Sequence, residues 1–151
     1  MTINTVAAFV NLFFVGLLAG EEFVIRYGVR GPLASLDTIP HIQLRQALIR
    51  TLRILVPALF GATLLSGIAV TFIDGFTHSS ILHIAGVLAL IAFISITLSG
   101  TVPINQAVLA WEPAAPPMNW RSTIIRWEQL DNIRCWLAIA AFVCFLAAMA
   151  L

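Results

Sequence analysis

Residues 54–73 read Ile54-Leu55-Val56-Pro57-Ala58-Leu59-Phe60-Gly61-Ala62-Thr63-Leu64-Leu65-Ser66-Gly67-Ile68-Ala69-Val70-Thr71-Phe72-Ile73, with no Asp, Glu, Lys or Arg in the whole stretch. A helix rises 1.5 Å per residue, so about 20 apolar residues are needed to cross the hydrocarbon core of a bilayer. The stretch therefore predicts a membrane-spanning helix. Working outward from it, residues 3–25, 82–111 and 133–151 read as three further spans. Of the 151 residues, 60% are hydrophobic and 10% charged, against roughly a quarter charged in a soluble domain. The expectation is an all-α integral membrane four-helix bundle forming a single domain over residues 1–151. The first span lacks a basic leader and a small-residue cleavage site, so it reads as a retained helix.

All eight basic residues are Arg. Arg26, Arg30, Arg45, Arg50 and Arg53 fall between the first and second spans, and Arg121, Arg126 and Arg134 between the third and fourth, while the loop from Asp74 to Ser80 holds none. Cytoplasmic loops carry the excess of positive charge, which predicts an Arg-rich cytoplasmic end with both termini outside, as in a bacterial inner-membrane protein. No soluble basic surface is available for nucleic acid, which is excluded as a partner. The guanidinium fork suits lipid headgroups, carboxylates or an aromatic oxyanion. The bilayer is thus the first partner, and a homo-oligomer within it stays open.

Polar helical patterns extend the spans at this end. Asp37-Thr38-Ile39-Pro40 marks a helix start, with Asp37 or Thr38 as cap and Pro40 in the first turn, and the pattern runs on to Val56. Pro113, Pro116 and Pro117 mark a rigid turn before a helix from Asn119 to Arg134 that enters the fourth span. Pro103 interrupts the third span and predicts a kink whose freed backbone faces the bundle interior. Gly16 and Gly20 make a Gly-x-x-x-Gly pair that permits close helix approach.

Ionisable groups in an apolar helix are costly and mark functional candidates. Glu21 and Glu22 sit near the end of the first span, and Glu22 is four residues from Arg26 and three turns from Asn11 on one face. Two readings stand: an interfacial ion pair anchoring the helix end, or a proton-accepting carboxylate acting as general base. Adjacent positions differ by about 100°, so only one of the two glutamates is expected to face the bundle centre. His41 and Arg45 form a similar pair on the second helix, either solvated or turned inward as a titratable ring and a fixed cation. Asn105 follows Pro103 and either satisfies freed backbone or binds a ligand. Trp120 and Trp127 share a face near Asp131 and Arg134, as an interfacial belt or as a stacking wall for a flat aromatic.

Cys135 and Cys144 lie nine apart and point to opposite faces, and Cys-x-x-Cys is missing, which disfavours a thiol-disulfide enzyme. The Glu-x-x-His pattern of carboxylate-bridged di-iron bundles is missing too. His41 falls at the end opposite His78 and His83, against a haem held by paired histidines. No cofactor is predicted, and a metal stays open.

The runs Gly20-Glu21-Glu22-Phe23 with Arg26-Tyr27-Gly28, Pro40-His41-Ile42-Gln43-Leu44-Arg45-Gln46, Gly100-Thr101-Val102-Pro103-Ile104-Asn105, and Asn119-Trp120-Arg121 with Arg126-Trp127 resemble, in order and spacing, the anthrone oxygenase-like family of small four-span membrane proteins. The resemblance implies a four-helix membrane fold and, for the named members, oxidation of a fused-ring anthrone to an anthraquinone with molecular oxygen as co-substrate. Such chemistry suits the residues above. Deprotonation of the anthrone methylene gives an anion able to pass an electron to oxygen, and it needs a base, a cation for the oxyanion and an apolar pocket. The expected roles are Glu22 or Glu21 as base with Arg45 as cation and His41 beside it. Asn105, Trp127, Asn11, Arg26 and Asp131 are expected to bind a hydrophobic aromatic substrate. Two rival readings are a non-catalytic binding or assembly protein with an Arg-rich docking end, and a small-molecule carrier built on the interrupted third helix.

Overall fold

The computed structural model describes residues 2–75 and 79–151. All regular structure among them is helical. The first rod comprises α1 (Ile3–Val24), a π-helical turn (Ile25–Val29) and α2 (Arg30–Ala34). The second is a single helix, α3 (Thr38–Asp74). The third comprises α4 (Ser80–Ile96), a second π-helical turn (Thr97–Thr101) and α5 (Val102–Leu109), and the fourth is α6 (Trp120–Met149). Each rod is long and apolar enough to cross a membrane. Large apolar side chains such as Phe72, Ile81 and Leu65 lie on the outside at 70% exposure or more, a surface that only lipid tails solvate well.

Local chemistry sets the helix ends. The Thr2 hydroxyl accepts from the Thr5 amide at 3.3 Å and caps α1. Asp37, in extended backbone, precedes α3, and Pro40 falls in its first turn, where a missing N–H costs nothing. The Pro-rich segment after Leu109 ends the third rod, and α6 starts at Trp120. At Pro103 the visible departure from regular α-helix is the π-helical turn just before it, closed by the Val102 amide on the Thr97 carbonyl. Proline cannot meet the Ser99 carbonyl, and a wider turn accommodates that loss.

The rods pack as a ring, α1 against α3 and α6, and α4 against α3 and α6. The apolar core joins Val15 and Leu18 of α1, Phe60 and Val70 of α3, Leu90 and Phe93 of α4, and Ala138, Ala141 and Phe145 of α6. Glycines permit close contacts within it. A Cβ on Gly86 or Gly67 would meet the Phe145 ring at 2.8 or 2.9 Å, while one on Gly16 would lie 3.4 Å from Phe142. Gly20 has open space around it, so of the Gly16–Gly20 pair, which permits close helix approach, only Gly16 meets a neighbouring helix. The close approach runs through Phe145 because α6 presents alanines on either side of it, at Ala141 and Ala148.

Gly86→Ala is expected to cost about 1–3 kcal/mol by overpacking against a ring that Gly67 also confines. Gly20→Ala should be neutral or stabilise by up to about 1 kcal/mol through helix propensity. Thermal unfolding of the detergent-solubilised variants reads both signs.

Candidate functional site

The polar end of the bundle encloses a cavity of about 350 Å³ between all four rods. This lies within the roughly 300–1,000 Å³ of small-molecule sites. Most of the wall is aliphatic, from Leu48, Leu52, Val56, Val102 and Leu109. Set into it are three carboxylates, Glu21, Glu22 and Asp131, and four guanidiniums, Arg30, Arg45, Arg53 and Arg134. Glu22 and Asp131 are each 1% exposed.

Both π-helical turns border this cavity, through Ile25 and Val29 of the first and Thr97 and Thr101 of the second. Arg134 of α6 donates from Nη2 to Glu22 Oε1, from Nη1 to the Thr101 hydroxyl at 3.5 Å, and lies 4.7 Å from the centre of the Phe93 ring. The Thr101 hydroxyl in turn donates to the Thr97 carbonyl at 3.1 Å. Arg45 of α3 stands across the bundle, its guanidinium 4.8 Å from the centre of the Trp127 ring and 3.9 Å from Glu128. Glu128 is held mainly by Arg30, at 2.6 Å.

After these contacts several buried polar atoms lining the cavity lack a hydrogen-bond partner among the described residues. They are Oε2 of Glu21 and of Glu22, Oδ2 of Asp131, Oδ1 of Asn105, Nε of Arg45 and of Arg134, and Nε1 of Trp127. Buried polar groups are ordinarily paired, and such groups, gathered around one apolar space, suit a flat ligand with both donors and acceptors on its rim.

Six of the nine residues singled out by sequence line the cavity: Glu21, Glu22, Arg45, Asn105, Trp127 and Asp131. The expectation that only one glutamate faces the interior fails, because the cavity lies beside the helix and a 100° separation straddles it. Glu22 takes Arg134 as its partner, in place of Arg26 four residues away. A π-helical turn begins at Ile25, between the two residues. Arg26 lies outside the cavity lining, 5.0 Å from the Tyr27 ring centre, with Nε and Nη1 buried and unpartnered.

Asn11 is buried in the opposite half of the bundle, donating to Ser66 Oγ at 3.2 Å and the Thr63 carbonyl at 3.5 Å. Three helical turns carried it out of reach. His41 is buried behind the cavity wall, where Nδ1 donates to the Leu33 carbonyl at 2.9 Å and the ring meets Trp120 edge-on at 5.5 Å. The polar site residues that sequence reading missed are Arg134, Thr101, Arg30, Arg53 and Gln106. Arg134 had a signal as a fixed charge just before the last apolar run and near the Trp127 face, and Thr101 as a member of the Gly100–Asn105 run.

Among the described residues no group of three or more His, Cys, Asp or Glu is arranged to hold a metal ion. His41 and His83 begin α3 and α4 at opposite ends of the bundle, and His78 lies outside the described residues. Cys135 is buried, and both cysteines are free.

A family profile described as anthrone oxygenase matches residues 46–144, about two-thirds of the chain. The chain belongs to the anthrone oxygenase family. No curated protein and no solved structure matches it. The match to the anthrone oxygenase family includes Thr101, Asn105, Trp127, Asp131 and Arg134, whereas Glu21, Glu22 and Arg45 precede it. The cavity is therefore built partly from the matched segment and partly from the residues in front of it, on the first rod and at the start of α3.

Arg134→Ala strands Glu22 in an apolar interior and is expected to cost about 3–5 kcal/mol. The double variant Glu22→Gln with Arg134→Met, which removes both charges, should recover most of that loss. Unfolding of the three proteins in detergent, compared as a mutant cycle, measures the difference.

Proposed function

We propose that the cavity oxidises a hydroxylated anthrone, or a related reduced fused-ring aromatic, with molecular oxygen. One observation carries the reading: free carboxylate oxygens, a guanidinium stacked on an indole and an amide oxygen converge on one apolar space of fitting size. Membership in the anthrone oxygenase family supports it.

In this reading Trp127 is the wall on which the rings stack, and Asn105 accepts from a ring hydroxyl. Glu21 is the base, because Glu22 is held by Arg134 while Oε2 of Glu21 is uncommitted. Glu21 removes a proton from the methylene carbon, and the ketone oxygen gains negative charge that Arg45 stabilises in a site of low dielectric. The anion gives one electron to oxygen, and the resulting pair joins at the former methylene carbon as a peroxide anion, which takes the proton back from Glu21. Loss of the second hydrogen on that carbon breaks the O–O bond and releases water, leaving a second ketone. The balance is one CH₂ and one O₂ giving one C=O and one H₂O.

The test is oxygen consumption by the detergent-purified protein with 1,8-dihydroxyanthrone, against empty micelles. Glu21→Gln and Arg45→Met should each lower kcat/KM by about 10²- to 10³-fold, with Arg50→Gln, on the exposed side of α3, unchanged. No consumption above the micelle control across a panel of hydroxylated anthrones would sink the oxygenase reading.

We also infer that the Arg-rich end lies in the cytoplasm, from the one-sided placement of all eight Arg. A cysteine placed at Asp37 in a Cys135→Ala, Cys144→Ala background should react with an impermeant maleimide only from the cytoplasmic face. Labelling from the other face would reverse the topology.

A further inference from the structure

The residues that line the cavity and are also exposed to the surroundings are Arg53 and Pro57 of α3 and Gln106 of α5. The lining residues of α1, α2 and α6 are buried or half-buried, Arg30 of α2 having a side chain 26% exposed. The most exposed part of the lining is therefore on one side of the bundle, in the seam between the second and third rods.

That seam is fastened at both ends. Toward the start of α3, Gln46 donates to the Val108 and Trp111 carbonyls, each at 2.9 Å. Farther along, the Phe60 and Phe93 rings stack with centres 5.5 Å apart and planes within 9°. Arg53 and Pro57 follow Gln46 by seven and eleven residues, close to whole numbers of helical turns, so both stand on the α3 face that meets the third rod. Between Gln46 and Phe60 the seam runs for roughly 20 Å at 1.5 Å per residue.

Backbone chemistry leaves both edges of this gap less than fully bonded. Pro57 has no amide to meet the Arg53 carbonyl, and Pro103 has none for the Ser99 carbonyl. Outside the gap the bundle presents apolar side chains, with Ile54 71% and Leu98 61% exposed. A solute reaching this mouth meets it from lipid, with one cation at the threshold.

We propose that the cavity loads sideways from the bilayer, through a mouth between α3 and α5 at Arg53, Pro57 and Gln106, and that Arg53 draws in the acidic edge of a flat aromatic dissolved in the lipid. The aromatic nature of the solute rests on the function proposed above, whereas the position of the mouth does not. Phe60 and Phe93 close the mouth on the apolar side, and the Gln46 clasp closes it toward water. A phenolic solute in the interfacial layer turns its ionisable edge toward Arg53 and slides its rings past Pro57, arriving with that edge between Arg45 and Arg134.

The experiment uses the full chain in phospholipid nanodiscs and 1,8-dihydroxyanthraquinone, an already oxidised probe that reports entry without turnover. Quenching of Trp127 is followed after stopped-flow mixing with probe-loaded vesicles, in a protein whose Trp111, Trp120 and Trp136 are replaced by Phe. A protein retaining only Trp136, which is 55% exposed on the outer surface, supplies the bilayer background.

The expected result has three parts. With the mouth intact, the quenching rate follows the probe's mole fraction in lipid and is indifferent to its aqueous concentration. Pro57→Phe with Gln106→Phe slows quenching at least tenfold while leaving its final extent alone. Arg53→Gln slows the dihydroxy probe several-fold and unsubstituted anthraquinone little. The first part needs no mouth variant, so a poorly folded double variant does not shield the proposal. A rate that follows aqueous concentration, or plugs that leave it unchanged in a folded protein, would overturn the sideways route. Equal slowing of both probes by Arg53→Gln would overturn the role of Arg53. Sideways loading without oxygen consumption on any anthrone would leave the route standing and remove the oxygenase reading.

Discussion

A carboxylate and a guanidinium buried together in an apolar bundle each need the other, because either alone would face a desolvation penalty of several kcal/mol. Glu22 and Arg134 are that pair, and they join the first rod to the last beside Thr101 of the third. The polar end of the bundle is organised around this contact. Thr101 completes it from the third rod, which fixes the depth of the second π-helical turn, and Phe93 covers the guanidinium from the membrane side. Because Arg134 is committed to Glu22, the remaining carboxylates on the wall, Glu21 and Asp131, keep oxygens free to face the cavity.

The second link in the same end is looser. Arg45 lies 3.9 Å from Glu128, which is already held at 2.6 Å by Arg30, and its flat face rests on Trp127. A guanidinium over an indole keeps its charge and part of its donor fork available, whereas a bidentate carboxylate would have consumed both. The two buried arginines thus divide the work. Arg134 holds the rods together, and Arg45 faces the space they enclose.

The four spans, the polar end and six of the lining residues were legible because a charge or amide in an apolar run stands out without knowledge of the fold. Pairing was not legible. Spacing reads one helix at a time, and by spacing the natural partner of Glu22 is Arg26; a guanidinium from 112 residues farther along takes that place. Asn11 shows the opposite error, since a shared face says nothing about depth, and three turns took it to a hydrogen bond with Ser66 in the other half of the bundle. His41 looked inward by the same test as Arg45, yet the nearby carbonyl of Leu33 at the end of α2 took its donor and left it behind the wall.

The two prolines within helices have a common consequence. Pro57 and Pro103 each delete one backbone hydrogen bond on facing rods, and a membrane helix tolerates that loss where the freed carbonyl meets protein or a cavity. Pro57 itself lines the cavity, and Thr101 and Val102 beside Pro103 do so too. The seam between α3 and the third rod is therefore where the backbone is least able to close on itself, and it is fastened by the Gln46 clasp and by the Phe60–Phe93 stack on either side. A bundle that only needed stability would spread such contacts along the seam. The proposed mouth lies between two such fastenings, and a wall firm at both margins and open between them is the geometry that admission of a rigid, flat solute requires.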